Sequence, residues 1–185
     1  MQQNLKPEAE QIIEELHLLE VLAQYGDARV VGSVALDLIV KPDIDVHVLI
    51  EDDDLQPTVD GVYHYLSGKE KAHGVHVKDY SERGGVKVGV ETYSGSTSDW
   101  SIDVWITSNA KTTGFDLVQE LKNKLTPEFR EIILRIKREY YKHGELRDGL
   151  STLIYDGVIN HNVQTKEGFV RFIEKMKERA RTSLQ

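Results

Sequence analysis

The sequence predicts an α+β fold with a mixed, mostly antiparallel sheet flanked by helices, followed by a C-terminal helical region. Apolar segments of strand length, rich in valine and isoleucine, alternate with helical patterns as far as Thr107. From Phe115 onward the pattern is helical throughout. We therefore expect one domain over residues 1–121 and a helical region over residues 122–185 that packs on it.

The first predicted element is a helix that begins near Pro7. Proline suits the first turn of a helix, and acidic residues at positions 8 and 10 favour the same end. Gly26 ends the segment. The apolar residues recur at helical spacing: Ile12, Ile13, Leu16, Leu19 and Leu22. A single helix packed on the sheet by this face is expected.

Five strands and two short helices are predicted next. The helices lie near residues 34–40 and 58–66. The strands are expected at Val30–Val31, Ile44–Ile50, Val75–Tyr80, Val86–Tyr93 and Trp100–Thr107. A polar turn at 94–99 joins the last two, which predicts an antiparallel hairpin. This hairpin would place Asp103 beside the strand that follows Pro42.

Three helices are predicted in the C-terminal region. Thr126 and the proline after it mark the start of the first, and Gly144 its end. The second is expected at about 148–160. The third is expected at about 166–179, with Thr165 as its N-cap.

Composition narrows the class of protein. A hydrophobic content of 39% suits a folded domain and argues against disorder. We expect neither a membrane span nor a secretory signal, because apolar runs are short and the N-terminus is polar. The absence of cysteine excludes disulfides and thiolate metal sites and agrees with a cytoplasmic location.

The net charge of −8 hides an asymmetry. Residues 1–121 carry 9 Lys and Arg against 22 Asp and Glu, whereas residues 122–185 carry 14 against 9. The acidic first part argues against broad nucleic-acid binding, while the basic second part could contact a polyphosphate or another anion. Ordinary solvated helices are the alternative interpretation of the basic part.

Two aspartates in one strand are the candidate centre of the protein's chemistry. Side chains alternate along a strand, so Asp43 and Asp45 point to one face while Ile44 and Val46 point to the other. Two adjacent carboxylates repel each other, and a bound cation relieves that repulsion. Asp103, flanked by Ile102 and Val104 in another predicted strand, would supply a third carboxylate.

A Gly-Ser pair precedes these acids. Gly32 and Ser33 follow a short apolar strand, and glycine lets a ligand approach the backbone closely. If a helix starts at Ser33, its free N–H groups and the serine hydroxyl would face an anion held by the metal.

This order of motifs resembles the nucleotidyltransferase superfamily related to DNA polymerase beta. The segment Gly-Ser-Val-Ala-Leu-Asp-Leu is similar to the opening of small aminoglycoside and lincosamide nucleotidyltransferases. It is also similar to the opening of the CCA-adding enzyme head domain, except that Leu36 stands where that family has arginine. The GrpB-like family shares the Gly-Ser and the later Lys41-Pro42, but usually has one acid where this chain has two.

The resemblance implies a nucleotidyltransferase catalytic domain over residues 1–121. Such an enzyme moves a nucleoside monophosphate from a nucleoside triphosphate to a hydroxyl or phosphate acceptor. Asp43, Asp45 and Asp103 would then be both the catalytic and the metal-binding residues, for two Mg²⁺ ions, with Asp103 either completing the second metal site or taking the proton of the attacking hydroxyl. Gly32 and Ser33 would bind the triphosphate. A small-molecule acceptor is favoured over nucleic acid, since Leu36 departs from the tRNA-acting pattern.

Two alternatives stay open at this point. One is a catalytically inactive protein of the same fold that binds a nucleotide or a partner protein. The other is a head domain that acts on RNA ends, with the basic C-terminal part as its binding surface.

Other polar residues have ordinary interpretations. Glu91 is expected to be an exposed strand residue, and the alternative is that it accepts a proton near Asp103. His47 is expected to be a packed, hydrogen-bonded histidine rather than a partner of the carboxylates. His73 and His76 are expected in a solvated loop rather than at a transition metal.

Overall fold

The computed structural model describes residues 5–51, 54–147 and 149–182. Internal packing divides the chain into two compact units, Met1–Leu121 and Lys122–Gln185. No helix within the described ranges is both long enough and apolar enough to cross a membrane.

A five-stranded sheet forms the centre of the first unit. Its strands are β1 Asp27–Val31, β2 Asp43–Leu49, β3 Ala72–Tyr80, β4 Gly85–Ser94 and β5 Asp99–Thr107. They lie in the order β1-β2-β5-β4-β3. The pairing of β2 with β5 is parallel, and the other three pairings are antiparallel. The predicted mixed, mostly antiparallel sheet and the β4–β5 hairpin are confirmed.

One face of the sheet carries the hydrophobic core. Alternate residues of β2 and β5, from Ile44 to Val48 and from Ile102 to Ile106, are completely buried. They pack with apolar residues of three helices: α1 Lys6–Glu15, α2 Leu18–Leu22 and α4 Leu55–Ser67. Because strand side chains alternate, Asp43, Asp45 and Asp103 lie on the opposite face.

The single helix predicted between Pro7 and Gly26 is wrong. The chain breaks into α1 and α2 at His17, whose φ of 44° lies in the left-handed region. Leu16 and Leu18 are both buried, yet residues two apart in a continuous helix point in nearly opposite directions. The break therefore lets both leucines reach the same core.

The helix predicted near 34–40 is also largely wrong. The helix α3 covers Gly32–Ala35, and an irregular segment leads from there to β2. In that segment Leu36, Leu38 and Val40 are buried at every second position, a period that an α-helix cannot satisfy on one face. Asp37 adopts a left-handed φ of 55°, which turns the chain after the short helix.

The second unit is helical, as predicted. After α5 Phe115–Lys124, which begins in the first unit, come α6 Pro127–Lys142, α7 Leu150–His161 and α8 Lys166–Thr182. The predicted start of the second helix at Asp148 lies outside the described residues. Hydroxyl caps begin two helices: Thr126 accepts from the Phe129 N–H and Thr165 from the Gly168 N–H. Tyr140 and Phe169 pack edge to face, joining α6 to α8.

A buried carboxylate ties α1 to the turn between β4 and β5. Glu8 is only 8% exposed. It accepts hydrogen bonds from the Ser96 hydroxyl (3.0 Å), the Thr97 backbone N–H (2.7 Å) and the Thr97 hydroxyl. Burial by itself would raise the pKa of Glu8, but the bonds from Thr97 and Ser96 outweigh it and lower the pKa to about 2.

Replacing Glu8 by Gln is expected to destabilise the protein and reduce its acid sensitivity. The pKa of Glu8 is lower in the folded chain, so its contribution is complete above pH 4.5 and is lost as the pH falls towards 2. We expect the free energy of unfolding at pH 7 to fall by about 1–3 kcal/mol.

Urea unfolding at pH 7, 4.5 and 3 measures both effects. Exposed Glu10, replaced by Gln, is the control. Equal pH dependence in wild type and Glu8→Gln between 4.5 and 3 would contradict the expectation.

Candidate active site

The parallel pairing of β2 and β5 brings the three predicted carboxylates together. Asp45 is the direct register partner of Asp103, and Asp43 is the partner of Ser101. Partners in a ladder share a face of the sheet, so all four side chains form one polar patch. The prediction that Asp103 lies beside the strand of Asp43 and Asp45 is confirmed.

Two lysines and a serine bind two of the carboxylates. Lys41 Nζ lies 3.2 Å from one oxygen of Asp43, and the Ser101 hydroxyl donates to the other at 2.6 Å. Lys87 Nζ donates to Asp103 Oδ2 at 2.7 Å, and its side chain is only 18% exposed. These contacts partly neutralise the acids at both sides of the patch.

Asp45 lies between the other two acids without such a partner. Within the described ranges it receives no hydrogen bond, although Lys41 and Lys87 act on it at longer range. Burial, and then the negative charges of Asp43 and Asp103, raise the pKa of Asp45 to about 7. A cation beside Asp45 would offset both causes.

Gly32 lies directly against Asp45. Its φ is +62°, and an added Cβ would lie 2.6 Å from Asp45 Oδ2. Val31, the preceding residue, is the register partner of Asp45 across β1 and β2. The Gly32-Ser33 pair therefore begins α3 beside the carboxylates, as the sequence predicts.

In the described part of the chain, none of the four residues His47, His73, His76 and Glu91 makes a hydrogen bond or ion pair with the carboxylates of this site. His47 Nδ1 accepts a hydrogen bond from the Gly114 N–H at 2.9 Å, and burial lowers the pKa of His47 to about 4. His47 is thus packed and hydrogen-bonded, as predicted. The prediction that His73 and His76 lie in a loop is wrong, because both belong to β3 and pair with β4. Glu91 is exposed, with 71% of its side chain accessible.

Sequence reasoning missed Lys41, Lys87 and Ser101. Two of them carried a usable signal, since Lys41 and Ser101 each stand two positions before an aspartate of the site. Lys87 carried none, because its position relative to Asp103 depends on the register of β4 against β5.

The donor set suits a magnesium ion. Carboxylate and hydroxyl oxygens are the ligands that hard divalent cations prefer, and the raised pKa of Asp45 is the electrostatic condition that such a cation relieves. In the described part of the chain, no three Asp, Glu or His side chains already converge as a metal-binding group. Asp43 and Asp103 instead have oxygens bound to lysines.

No protein-family model and no curated protein matches the sequence. Solved structures do match the fold. Cid1 poly(U) polymerase with MgGTP bound aligns with a TM-score of 0.57 and 15% identity, over 74% of this chain and 42% of that one. A cytoplasmic RNA terminal U-transferase aligns with a TM-score of 0.55 and 15% identity, over 75% of this chain and 41% of that one. A mutant of the polymerase bound to MgATP aligns with a TM-score of 0.58 and 14% identity, over 78% of this chain and 44% of that one.

These alignments establish the fold. The chain has the nucleotidyltransferase fold, and it spans less than half the length of the solved structures that it matches.

Replacing Gly32 by Ala is expected to move the Asp45 carboxylate. The added Cβ would collide with Oδ2, and the side chain can yield by rotating away. The left-handed backbone adds a cost of about 1–2 kcal/mol for a residue with a Cβ. Urea unfolding measures the stability, and titration with magnesium and a nucleoside triphosphate, the ligands that the sequence resemblance implies, measures the effect on the site.

Gly144→Ala is the matched control for that substitution. Gly144 also has a positive φ, of +68°, but nothing lies within 4 Å of its added Cβ. Both variants should lose similar stability, whereas only Gly32→Ala should lose triphosphate binding. Unchanged binding in Gly32→Ala would contradict the placement of Gly32 at the site.

Proposed function

We propose that the protein is a magnesium-dependent nucleotidyltransferase. It moves a nucleoside monophosphate from a nucleoside triphosphate to a hydroxyl or phosphate acceptor and releases pyrophosphate. The observation that carries this proposal is the register pair Asp45–Asp103, with Asp43 on the same face of a nucleotidyltransferase fold. The magnesium nucleotides bound to two of the structures with this fold support it.

The three aspartates are the proposed metal ligands. Asp45, which has no hydrogen-bond donor within the described ranges, is the central one, and Asp43 and Asp103 flank it. When bound, Mg²⁺ supplies positive charge that stabilises the attacking and leaving oxygens of the transfer.

The reaction is a substitution at the α-phosphorus of the triphosphate. An oxygen of the acceptor forms the new bond to phosphorus, and the bond to the bridging oxygen of pyrophosphate breaks. The proton of a hydroxyl acceptor passes to a nearby base, for which Asp103 is the candidate. Lys87 and Lys41 keep positive charge near the developing negative charge.

Gly32 and Ser33 are the proposed triphosphate-binding residues. With no side chain at Gly32, the backbone at the start of α3 is open to phosphate oxygens beside Asp45. The Ser33 hydroxyl stands in the same turn and can donate a hydrogen bond.

A small-molecule acceptor is the first candidate. The acidic first unit repels polyanions, which favours a small or cationic acceptor at the site. The alternative to an enzyme is a catalytically inactive protein that binds a nucleotide. The next experiment distinguishes the two. The cytoplasmic location stays a prediction from the sequence.

Calorimetric titration with each of the four ribonucleoside triphosphates, in the presence of magnesium, tests the site. We expect one nucleotide to bind, and an Asp43→Asn, Asp45→Asn double variant to lose that binding because the ligands of the cation are gone. The control is Asp60→Asn, Asp99→Asn, which removes two exposed carboxylates of the same unit. Binding that survives in the site variant, or no binding at all in the wild type, would refute the proposal. Pyrophosphate release then separates an enzyme from an inactive binding protein.

A groove in the second unit favours a second candidate acceptor, single-stranded RNA. The groove has a volume of about 750 Å³. It lies along α8 and the segment before it, and none of its described lining residues is acidic. Three cations four residues apart on α8 line it: Arg171, Lys175 and Arg179. The acidic residues Glu167, Glu174 and Glu178 lie outside the groove.

This separation of charge suits a ribose-phosphate strand. Residues four apart share a face of a helix, so the three cations form one row. Phe172 lines the same groove, with its ring 4.8 Å from that of His161, and offers an aromatic surface for a base. A poly(U) polymerase and an RNA terminal U-transferase among the matching folds agree with this candidate.

Neutralising the groove is expected to weaken RNA binding. The variant Arg171→Gln, Lys175→Gln, Arg179→Gln should bind a labelled oligouridylate of about 15 nucleotides at least about tenfold more weakly at about 0.1 M salt. Fluorescence anisotropy measures this. The control Lys142→Gln, Lys177→Gln, Arg181→Gln removes the same charge outside the groove. Equal loss in both variants, or no binding by the wild type, would remove RNA as the acceptor.

A further inference from the structure

We propose that Lys87 takes the place of a second divalent cation beside Asp103, so that the site binds one divalent ion with each nucleotide. This inference deepens the proposed function and rests on it. It differs from the two-ion site that the sequence resemblance implies.

Lys87 is positioned as a fixed part of the site rather than as a surface lysine. It is the third residue of β4, two residues before Gly89, which is the register partner of Asp103. Its Nζ reaches Asp103 Oδ2 at 2.7 Å, while 82% of the side chain is covered. By contrast Lys78, its register partner on β3, is exposed.

Gly89 allows Lys87 and Asp103 to meet. An added Cβ at Gly89 would lie 3.1 Å from Asp103 Oδ1 and 2.7 Å from His76 Nε2. Because that side chain is missing, Asp103 can lie over β4, where the Lys87 ammonium reaches its other oxygen. The ion pair therefore depends on backbone register as well as on opposite charge.

The hydrogen bonds within the site single out one position for a cation. Ser101 and Lys41 each bind one oxygen of Asp43, which keeps a lone pair for a cation beside Asp45, and Lys87 binds Oδ2 of Asp103. In the described part of the chain, the hydrogen bonds to the three acids end on Asp43 and on Oδ2 of Asp103, and none ends on Asp45 or on Oδ1 of Asp103. These oxygens belong to register partners and lie on the same side of the ladder.

Charge leads to the same conclusion. With a cation bound, all three aspartates are ionised and bring three negative charges, and Lys41 and Lys87 bring two positive charges. One divalent ion leaves the site with a small positive charge that suits a triphosphate. A second divalent ion at Asp103 would lie close to the Lys87 ammonium, where repulsion between like charges is strong because little water screens it.

Manganese titration counts the ions directly. Mn²⁺ is added to the full chain with a non-hydrolysable analogue of the triphosphate that binds best, and free Mn²⁺ is followed by electron paramagnetic resonance. We expect one bound ion per protein in the wild type, after subtraction of the Mn²⁺ that is bound to free analogue in solution. In Lys87→Met, which keeps most of the length of the side chain without its charge, we expect a second ion to bind at least about tenfold more tightly than in the wild type.

Lys78→Met is the matched control, because Lys78 is the register partner of Lys87 and forms no ion pair with a carboxylate among the described residues. It should behave as the wild type does. Lys87→Gln is a second variant, and thermal unfolding establishes that each variant is folded.

The outcomes separate this inference from the proposed function. Two ions in the wild type would overturn the role of Lys87 and leave the nucleotidyltransferase proposal intact. The role of Lys87 would also be overturned if the wild type binds one ion and both Lys87 variants bind the same number of ions with the same affinity. No bound ion and no bound nucleotide in the wild type would overturn both proposals together.

Discussion

The parallel pairing of β2 with β5 is the constraint on which the rest of the structure depends. It joins two antiparallel pairs, β1–β2 and β4–β5, into one sheet with a single apolar face. The same register that stacks Ile44 on Ile102 in the core places Asp45 beside Asp103 on the opposite face. Core packing and site assembly are therefore one event, because a shift of one residue would exchange the two faces.

Placing the carboxylates side by side carries an electrostatic cost. The sheet offsets part of it with Lys41, Lys87 and Ser101, each on or next to a strand of the site. Asp45 remains the least compensated group, and its raised pKa reflects burial and two negative neighbours. A protein that maintains this arrangement can gain binding energy when a cation arrives, which is a physical basis for the proposed dependence on magnesium.

Much of the fold follows from local patterns in the sequence. Short apolar segments predict all five strands, and capping residues such as Thr126 and Thr165 predict the starts of two C-terminal helices. Two of the errors fall where the core overrides local preference. His17 breaks a continuous apolar helix so that Leu16 and Leu18 can both be buried, and the segment after Ala35 leaves the helix for a similar reason.

The sequence by itself determined which residue types are available and which face of its own strand each occupies. That is why the pairs Asp43–Asp45 and Gly32-Ser33 were visible, since period-two alternation and turn chemistry are local properties. Only the tertiary structure decided which strands are neighbours and in what register. The contact between Lys87 and Asp103, and the close approach of Gly32 to Asp45, join residues far apart in the chain or across strands. No local pattern encodes such contacts, because they arise from burying one shared apolar face.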